Sequence, residues 1–419
     1  MTANMKHSML FLTMTAFCAF AWAASPDVNY DEAKIPPYDL PALLVSNDGN
    51  IITSSSQWEK QRRPEIMEYF QSQMFGRTPR EKISMKARQV AVNEHALDGA
   101  ATSRQVLLTF CGNGRTLQAM LLVYVPNDRK GRVPVIWQYN FQGNPSTTDE
   151  EDILPSSCAS SVWSSDKYAR GAQKSRWNYR LAIERGYAVA TMCYEDICPD
   201  SPSKRDLGAA ALFSNYGADA GQPDEWQAIG AWAWGSSRVC DWLCRQKWVD
   251  KKHIAIAGHS RLGKAALWAG AQDERFFLVI SNDSGCGGAA LSRRCIGETV
   301  AAITTSFPHW FCPAYSRYGN NEAAMPFDQH ELLALVAPRH LYVNSAVEDR
   351  WADPHGEFLS TLAAGEVWEL YGMKGLPQTT MPGPQQPLRG DIGYHLRDGV
   401  HDVTDYDWNA WLDFFDAVR

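Results

Sequence analysis

Lys252-His253-Ile254-Ala255-Ile256-Ala257-Gly258-His259-Ser260-Arg261-Leu262-Gly263-Lys264-Ala265-Ala266-Leu267-Trp268 is the stretch that decides the fold. A short apolar run reads as a buried strand, and it meets Gly258-His259-Ser260 directly before an Ala/Leu-rich helical pattern begins. A serine at such a strand-to-helix crossing sits on a tight turn with its Oγ exposed above the sheet, and small residues stand where the two backbones crowd. Leu262 occupies the place where the G-x-S-x-G pattern has its second glycine, and Gly263 follows it. Gly-x-Ser alone is common. The strand before it and the helix after it make Ser260 a candidate nucleophile.

Working outward, apolar and β-branched runs alternate with amphipathic stretches. Strands are predicted at Arg104–Phe110, Leu117–Val125, Val133–Tyr139, Tyr187–Cys193, His253–Ala257, Phe277–Ser281, His340–Asn344 and Val367–Leu370. Helices are predicted at Gln57–Gln73, Ser175–Glu184, Glu225–Arg245, Leu262–Gln272, Gln329–Val336, Glu357–Ala363 and Tyr406–Val418. This alternation argues for the α/β class: a three-layer sandwich with a mostly parallel central sheet, which with the serine turn makes an α/β-hydrolase fold. The first two strands, joined by Cys111–Thr116, read as an antiparallel hairpin feeding the sheet. Residues 24–419 read as one catalytic domain, with 24–100 as an N-terminal wrap that is Pro-rich at its start. Phe141–Gly171 and Gly285–Pro326 lack a clear period, and long loops of that kind decorate the ligand end of an open α/β sheet.

The chain has 419 residues, 47 Asp+Glu against 40 Lys+Arg, and 45% apolar residues. Disordered and collagen-like classes are thereby excluded, and the acidic balance argues against nucleic acid as a partner. Residues 1–23 read as a secretory signal peptide: Lys6 and His7 precede the apolar Met9–Phe20, and Ala21-Trp22-Ala23 ends it. That apolar run of about 12 residues is shorter than the roughly 20 a spanning helix needs, so no membrane span is expected. Export makes disulfides possible among Cys111, Cys158, Cys193, Cys198, Cys240, Cys244, Cys286, Cys295 and Cys312, an odd set in which at least one is free or pairs between chains. The spacings Cys193/Cys198 and Cys240/Cys244 suit zinc only loosely, and no metal is expected.

A neutral hydroxyl is a poor nucleophile, so Ser260 needs a base, and the base needs an acid to orient it. This fold supplies them in the order Ser, acid, His. His401, in the loop before the last helix, is the expected base, with His395 as rival. Asp349, after the strand His340–Asn344, is the first choice of acid, with Glu348 and Asp353 nearby. Asp283, after the preceding strand, competes for the same role. Arg261 opens the helix beside the serine, and Lys264 follows one turn later. Two cations there favour an acidic or heavily hydroxylated acyl group.

Taken together, Gly258-His259-Ser260-Arg261-Leu262-Gly263-Lys264, Ala269-Gly270-Ala271-Gln272-Asp273, Ser281-Asn282-Asp283-Ser284-Gly285-Cys286-Gly287-Gly288-Ala289-Ala290, Phe307-Pro308-His309-Trp310-Phe311 and Glu348-Asp349-Arg350-Trp351-Ala352-Asp353-Pro354 resemble bacterial glucuronoyl esterases of carbohydrate esterase family 15. The resemblance spans nearly the whole mature chain. It implies a secreted serine esterase that cleaves the ester between 4-O-methyl-D-glucuronic acid side chains of glucuronoxylan and lignin alcohols, acting as a monomer without cofactor. It makes Ser260 the nucleophile, His401 the base and then acid, and Arg261 the oxyanion stabiliser. Lys264, Gln272, Glu298 and Trp351 would hold sugar hydroxyls. Family members differ in which position carries the acid, and here Asp349 is taken as principal with Asp283 supporting. The alternatives are another carbohydrate esterase, such as an acetyl xylan esterase, or a non-catalytic carbohydrate-binding protein. The 16 Trp read mostly as packing, with only Trp351 argued onto the sugar.

Overall fold

The computed structural model describes residues 28–156 and 169–419. The signal peptide assigned to 1–23, and Cys158, lie outside the described residues. Among the described residues ten strands form one sheet: β1 (Ser84–Ala96), β2 (Ala101–Gly112), β3 (Arg115–Pro126), β4 (Val133–Asn140), β5 (Ala188–Cys193), β6 (Val249–His259), β7 (Leu278–Asn282), β8 (His340–Ala346), β9 (Leu388–Arg389) and β10 (Ile392–Arg397). Their spatial order is β1-β2-β3-β5-β4-β6-β7-β8-β10-β9. From β5 across to β10 all neighbours run parallel, while β1, β2 and β3 on one side and β9 on the other are antiparallel.

Period-two alternation divides the core in two. In β6, Ile254 and Ile256 face one side and Ala255 and Ala257 the other; Val343 and Tyr342 in β8 split the same way. The helices Ala228–Leu243, Arg261–Gln272 and Pro354–Glu369 cover the first face through Trp232, Trp268 and Trp368. Tyr179–Glu184 and Asp405–Val418 cover the second through Tyr179, Trp408 and Trp411. The tryptophan-rich composition is therefore mainly packing: Trp58, Trp137, Trp232, Trp268, Trp368, Trp408 and Trp411 are fully buried.

Three expectations are corrected. Val367–Leu370 is not a strand; Val367–Glu369 ends a helix started by Pro354, where the Asp353 side chain accepts from the Gly356 N–H. A four-residue apolar window carries no period that separates strand from helix. Its place in the sheet is taken by β10, which pairs parallel with β8. The 24–100 segment is more than a wrap, since β1 within it forms the edge of the sheet. That strand is exposed on most of its length and held by backbone pairing with β2, so no hydrophobic alternation announces it. Finally, the expected disulfides are absent among the described cysteines. Cys193, Cys198, Cys240, Cys286 and Cys312 are buried as small apolar residues, and the Cys240 and Cys244 sulfurs stand 4.0 Å apart.

The β6-to-helix turn has the strain its sequence implies. Ser260 adopts φ 58°, ψ −130°, a region that costs a non-glycine residue about 1–3 kcal/mol. Its neighbours show why the turn persists. A Cβ on Gly258 would stand 2.0 Å from the Leu262 carbonyl oxygen, and one on Gly263 would stand 2.9 Å from the Ser284 Cβ. Gly263 thus meets the crowding next to β7, although it lies one residue later than the usual pattern. Because the atom facing Gly258 is backbone, Gly258→Ala is expected to lower stability by about 2–3 kcal/mol in urea titrations and to abolish activity.

Candidate active site

Sheet register brings the site together. His259, Asn282, Asn344 and His395 are successive partners across β6, β7, β8 and β10 at the carboxyl edge. Pairing continues past the strand ends. The Ser260 N–H donates to the Asn282 carbonyl at 2.9 Å and the Asp283 N–H to Asn344 at 2.8 Å. Beyond β8, the Val347 and Glu348 amides donate to the Arg397 and Gly399 carbonyls at 2.9 and 3.0 Å. The loop carrying Asp349 is thereby zipped to the loop carrying His401.

At the end of that zip, His401 Nδ1 lies 2.6 Å from Asp349 Oδ2. Asp349 is buried, whereas the His401 side chain is 42% exposed, so the imidazole is backed by a carboxylate and open on its other side. The ring of His259, adjacent to Ser260 in the chain, packs on His401 with centroids 4.4 Å apart and sets the imidazole beside the turn. Burial, then the His401 and arginine charges, push the His259 pKa well below its ordinary value. A neutral ring there lets His401 take up a proton without a like charge beside it.

Asp283 belongs to a neighbouring layer. Its Oδ2 accepts from Arg397 Nη2 at 3.1 Å and from Asn282 Nδ2 at 2.9 Å. Arg397 also donates to the Val400 and Asp402 carbonyls at 2.9 and 2.6 Å, on either side of His401. Burial raises the Asp283 pKa well above the carboxylate range, with Glu357 and Asp349 adding repulsion against Arg397. The ligand atoms of Asp283, Asp349 and His401 lie within 4.8 Å of one another. That grouping resembles a cation site in composition, but the imidazole nitrogen is already engaged by Asp349 and one Asp283 oxygen by Arg397.

Beneath both acids sits Glu357, fully buried. It accepts from the Ser284 and Gly285 amides at 2.8 and 2.9 Å and from the Ser345 hydroxyl at 2.6 Å. Burial raises its pKa to about 7 despite these donors.

On the other side of Ser260, the Arg261 N–H opens the helix, in the first turn whose amides lack intrahelical acceptors. The Arg261 guanidinium donates to Asp200. Lys264, buried one turn on, donates to the Ser284 carbonyl at 2.5 Å. It stands in the field of Glu298, whose carboxyl is raised by burial and drawn back by Lys264 and by a hydrogen bond with Trp351. The Glu298 N–H also donates to the Trp351 carbonyl at 2.9 Å. Trp351 is 42% exposed, unlike the other tryptophans among the described residues.

Gln272 is not brought to this site. It ends the helix that Arg261 begins, about 16 Å along the axis at 1.5 Å per residue, and its amide is engaged by Thr78 at 2.8 Å. Among the rivals, His395 is buried in β10 with both nitrogens engaged, by Asp407 and by Tyr342, each at 2.9 Å. Asp353 pairs with Arg294 at 2.7 Å, and Glu348 is exposed. Sequence reading missed Glu357, Arg397 and Asp200. His309 and Trp310 were visible as part of a motif but without a role, and Asp200 lies in an irregular loop with no signal at all.

A positive-φ serine between a parallel strand and a helix, beside a carboxylate-backed histidine from the last loop, defines a serine hydrolase of the α/β-hydrolase fold. Comparison with known proteins narrows this. Residues 175–372 match the family model described as glucuronyl esterase, fungi. The chain is 43% identical to carbohydrate esterase MZ0003 from an unknown prokaryotic organism, over 94% of each chain. It is 28% identical to a 4-O-methyl-glucuronoyl methylesterase of Schizophyllum commune, covering 88% of this chain and 83% of that one. Among solved structures it resembles a promiscuous CE15 esterase from a marine bacterial metagenome, with TM-score 0.85 and 42% identity, over 93% of this chain and 99% of that one. The glucuronoyl esterase of Solibacter usitatus also superposes with TM-score 0.85 at 40% identity, over 92% and 99%. The chain belongs to the glucuronoyl esterases of carbohydrate esterase family 15, and it is a carboxylic ester hydrolase.

Two outcomes test the site. Gln272→Ala is expected to leave kcat and KM for a uronate ester within twofold of the parent; a tenfold rise in KM would return Gln272 to the site. Glu357 binds its proton more tightly folded, near pH 7, than unfolded, near 4.5. The native state therefore holds more protons between those values, and stability falls as pH rises from about 4.5 to 7, by up to about 3 kcal/mol. Glu357→Gln cannot titrate, so chemical denaturation at pH 5 and pH 7 should show this fall in the parent and a smaller one in the variant.

Proposed function

We propose that this chain hydrolyses the ester between 4-O-methyl-D-glucuronic acid side chains of glucuronoxylan and lignin alcohols. The observation that carries this reading is the grouping about Ser260 of the His401–Asp349 couple with Lys264, Glu298 and Trp351. A buried cation, a half-buried carboxyl and an exposed indole offer donors, an acceptor and a stacking face to a hydroxylated ring. A plain acetyl group would leave all three unused.

His401 takes the Ser260 proton through Nε2 while Asp349 holds Nδ1 and stabilises the imidazolium. Ser260 Oγ attacks the C6 carbonyl carbon, and the oxyanion is met by the Arg261 amide and guanidinium. His401 returns the proton to the leaving alcohol. Water, deprotonated by the same histidine, then attacks the acyl-enzyme and releases the free uronic acid and Ser260. Asp283 acts one layer behind, holding Arg397 and through it the His401 loop. The enzyme acts as an exported monomer, with residues 1–23 removed. Among the described residues no helix is long and apolar enough to cross a membrane.

Turnover of benzyl glucuronate, measured beside p-nitrophenyl acetate and with Ser260→Ala as control, tests the reading. Hydrolysis of the acetate alone, or equal hydrolysis by the variant, would overturn it. Asp349→Asn is expected to lower kcat about 10³-fold or more, by loss of the imidazole's orienting partner, and Asp283→Asn about tenfold. The opposite ranking would transfer the acid role to Asp283.

A further inference from the structure

Arg261 is the centre of a cluster whose other members none of the steps above uses. Its Nη1 donates to Asp200 Oδ2, and the same carboxylate receives three further groups. His309 Nε2 and Trp310 Nε1 lie 2.8 and 2.7 Å from Oδ1, and the Tyr194 hydroxyl donates to Oδ2 at 2.9 Å. Asp200 is nearly buried, at 7% exposure. Burial works against its charge, but the bond to His309, the Arg261 charge and the bonds to Trp310 and Tyr194 outweigh it and hold the carboxyl below its usual range. An ionised carboxylate in turn assigns the His309 Nε2 proton.

Aromatic rings complete the enclosure. The guanidinium carbon stands 4.6 Å from the Trp310 ring centre, 5.6 Å from Phe307 and 5.8 Å from Phe141. Phe307 stacks on Trp310 at 3.8 Å with the planes 4° apart. Trp310 thus donates its N–H to the carboxylate and offers its face to the cation that the carboxylate holds. The support is rigid. First-turn amides of the helix Ala228–Leu243 donate to the His309 and Trp310 carbonyls at 3.0 and 3.3 Å. Trp232 of that helix donates its indole N–H to the Cys198 carbonyl at 2.9 Å, two residues before Asp200.

We propose that Asp200 is a positioning residue for Arg261, holding the guanidinium at the Ser260 turn so that its charge is in place before the tetrahedral intermediate forms. A long side chain without a partner samples many rotamers, and a donor aimed in advance needs no reorganisation when the oxyanion develops. Four donors on one carboxylate also spread its charge, so that Asp200 anchors Arg261 without being bound to it alone. The inference rests on the reading of Arg261 as the oxyanion's cation.

A double-mutant cycle on benzyl glucuronate hydrolysis tests it, using Asp200→Asn, Arg261→Ala and the pair, with thermal unfolding recorded for each. Asp200→Asn is expected to lower kcat about 10- to 100-fold, less than the roughly 10²- to 10³-fold cost of removing an oxyanion donor outright, with KM changed less than threefold. In the Arg261→Ala background the same change should alter kcat less than threefold. Should Asp200→Asn not fold, Trp310→Phe and Tyr194→Phe each remove one donor; each is expected to cost three- to tenfold in kcat, and nothing in the Arg261→Ala background. Equal losses in both backgrounds would overturn the positioning role alone. An Arg261→Ala variant with unchanged kcat would overturn the oxyanion reading and this inference with it.

Discussion

Everything at the site is measured from the backbone turn at Ser260. A residue held at φ 58° keeps that conformation only when its surroundings leave no other, and here they are two close approaches, Gly258 under the Leu262 carbonyl and Gly263 against Ser284. The strand fixes one side of the turn and the helix the other, so the serine, the Arg261 amide and Lys264 are placed as one rigid unit. The parallel register then sets Asp283 and the start of the Asp349 loop at matching height.

Four buried carboxylates surround this unit, and their partners give them different work. Asp349 backs an exposed imidazole, Asp283 grips Arg397, Glu357 collects backbone amides, and Asp200 binds Arg261. Burial first, and then the charges of their neighbours, move the pKa values of Asp283 and Glu357 upward. Environment, not residue type, thus separates the carboxylate that faces the histidine from those that support the loops. On the opposite flank Asp200, with four donors, remains charged.

Legibility in the sequence followed the range of the interactions. The Ser260 turn, the helix after it and most central strands were readable because they depend on local period and on glycine at contact points. His401 was readable from its place before the last helix. Asp349 and Asp283 could be named but not ranked, since both follow strands that end at the same edge. Val367–Leu370 was misread and β10 passed over because short apolar windows are ambiguous, and β1 was passed over because an edge strand needs no apolar face. Gln272 lay in a stretch resembling the family, yet helical rise alone places it a long way from Ser260.

The sequence by itself determined that a serine would stand on a strained turn between a parallel strand and a helix, with a histidine and two candidate acids downstream. Those are consequences of local backbone sterics and chain order. Tertiary structure decided which acid touches the imidazole, because the Val347–Glu348 backbone pairs with Arg397 and Gly399 and carries Asp349 onto His401. It also decided that Arg261 is tethered, because Asp200, 61 residues earlier, is brought to it by long-range bonds to His309 and Trp310 and by the packing of the Ala228–Leu243 helix. Contacts of that range leave no periodicity in the chain, and only the folded arrangement of strands and loops creates them.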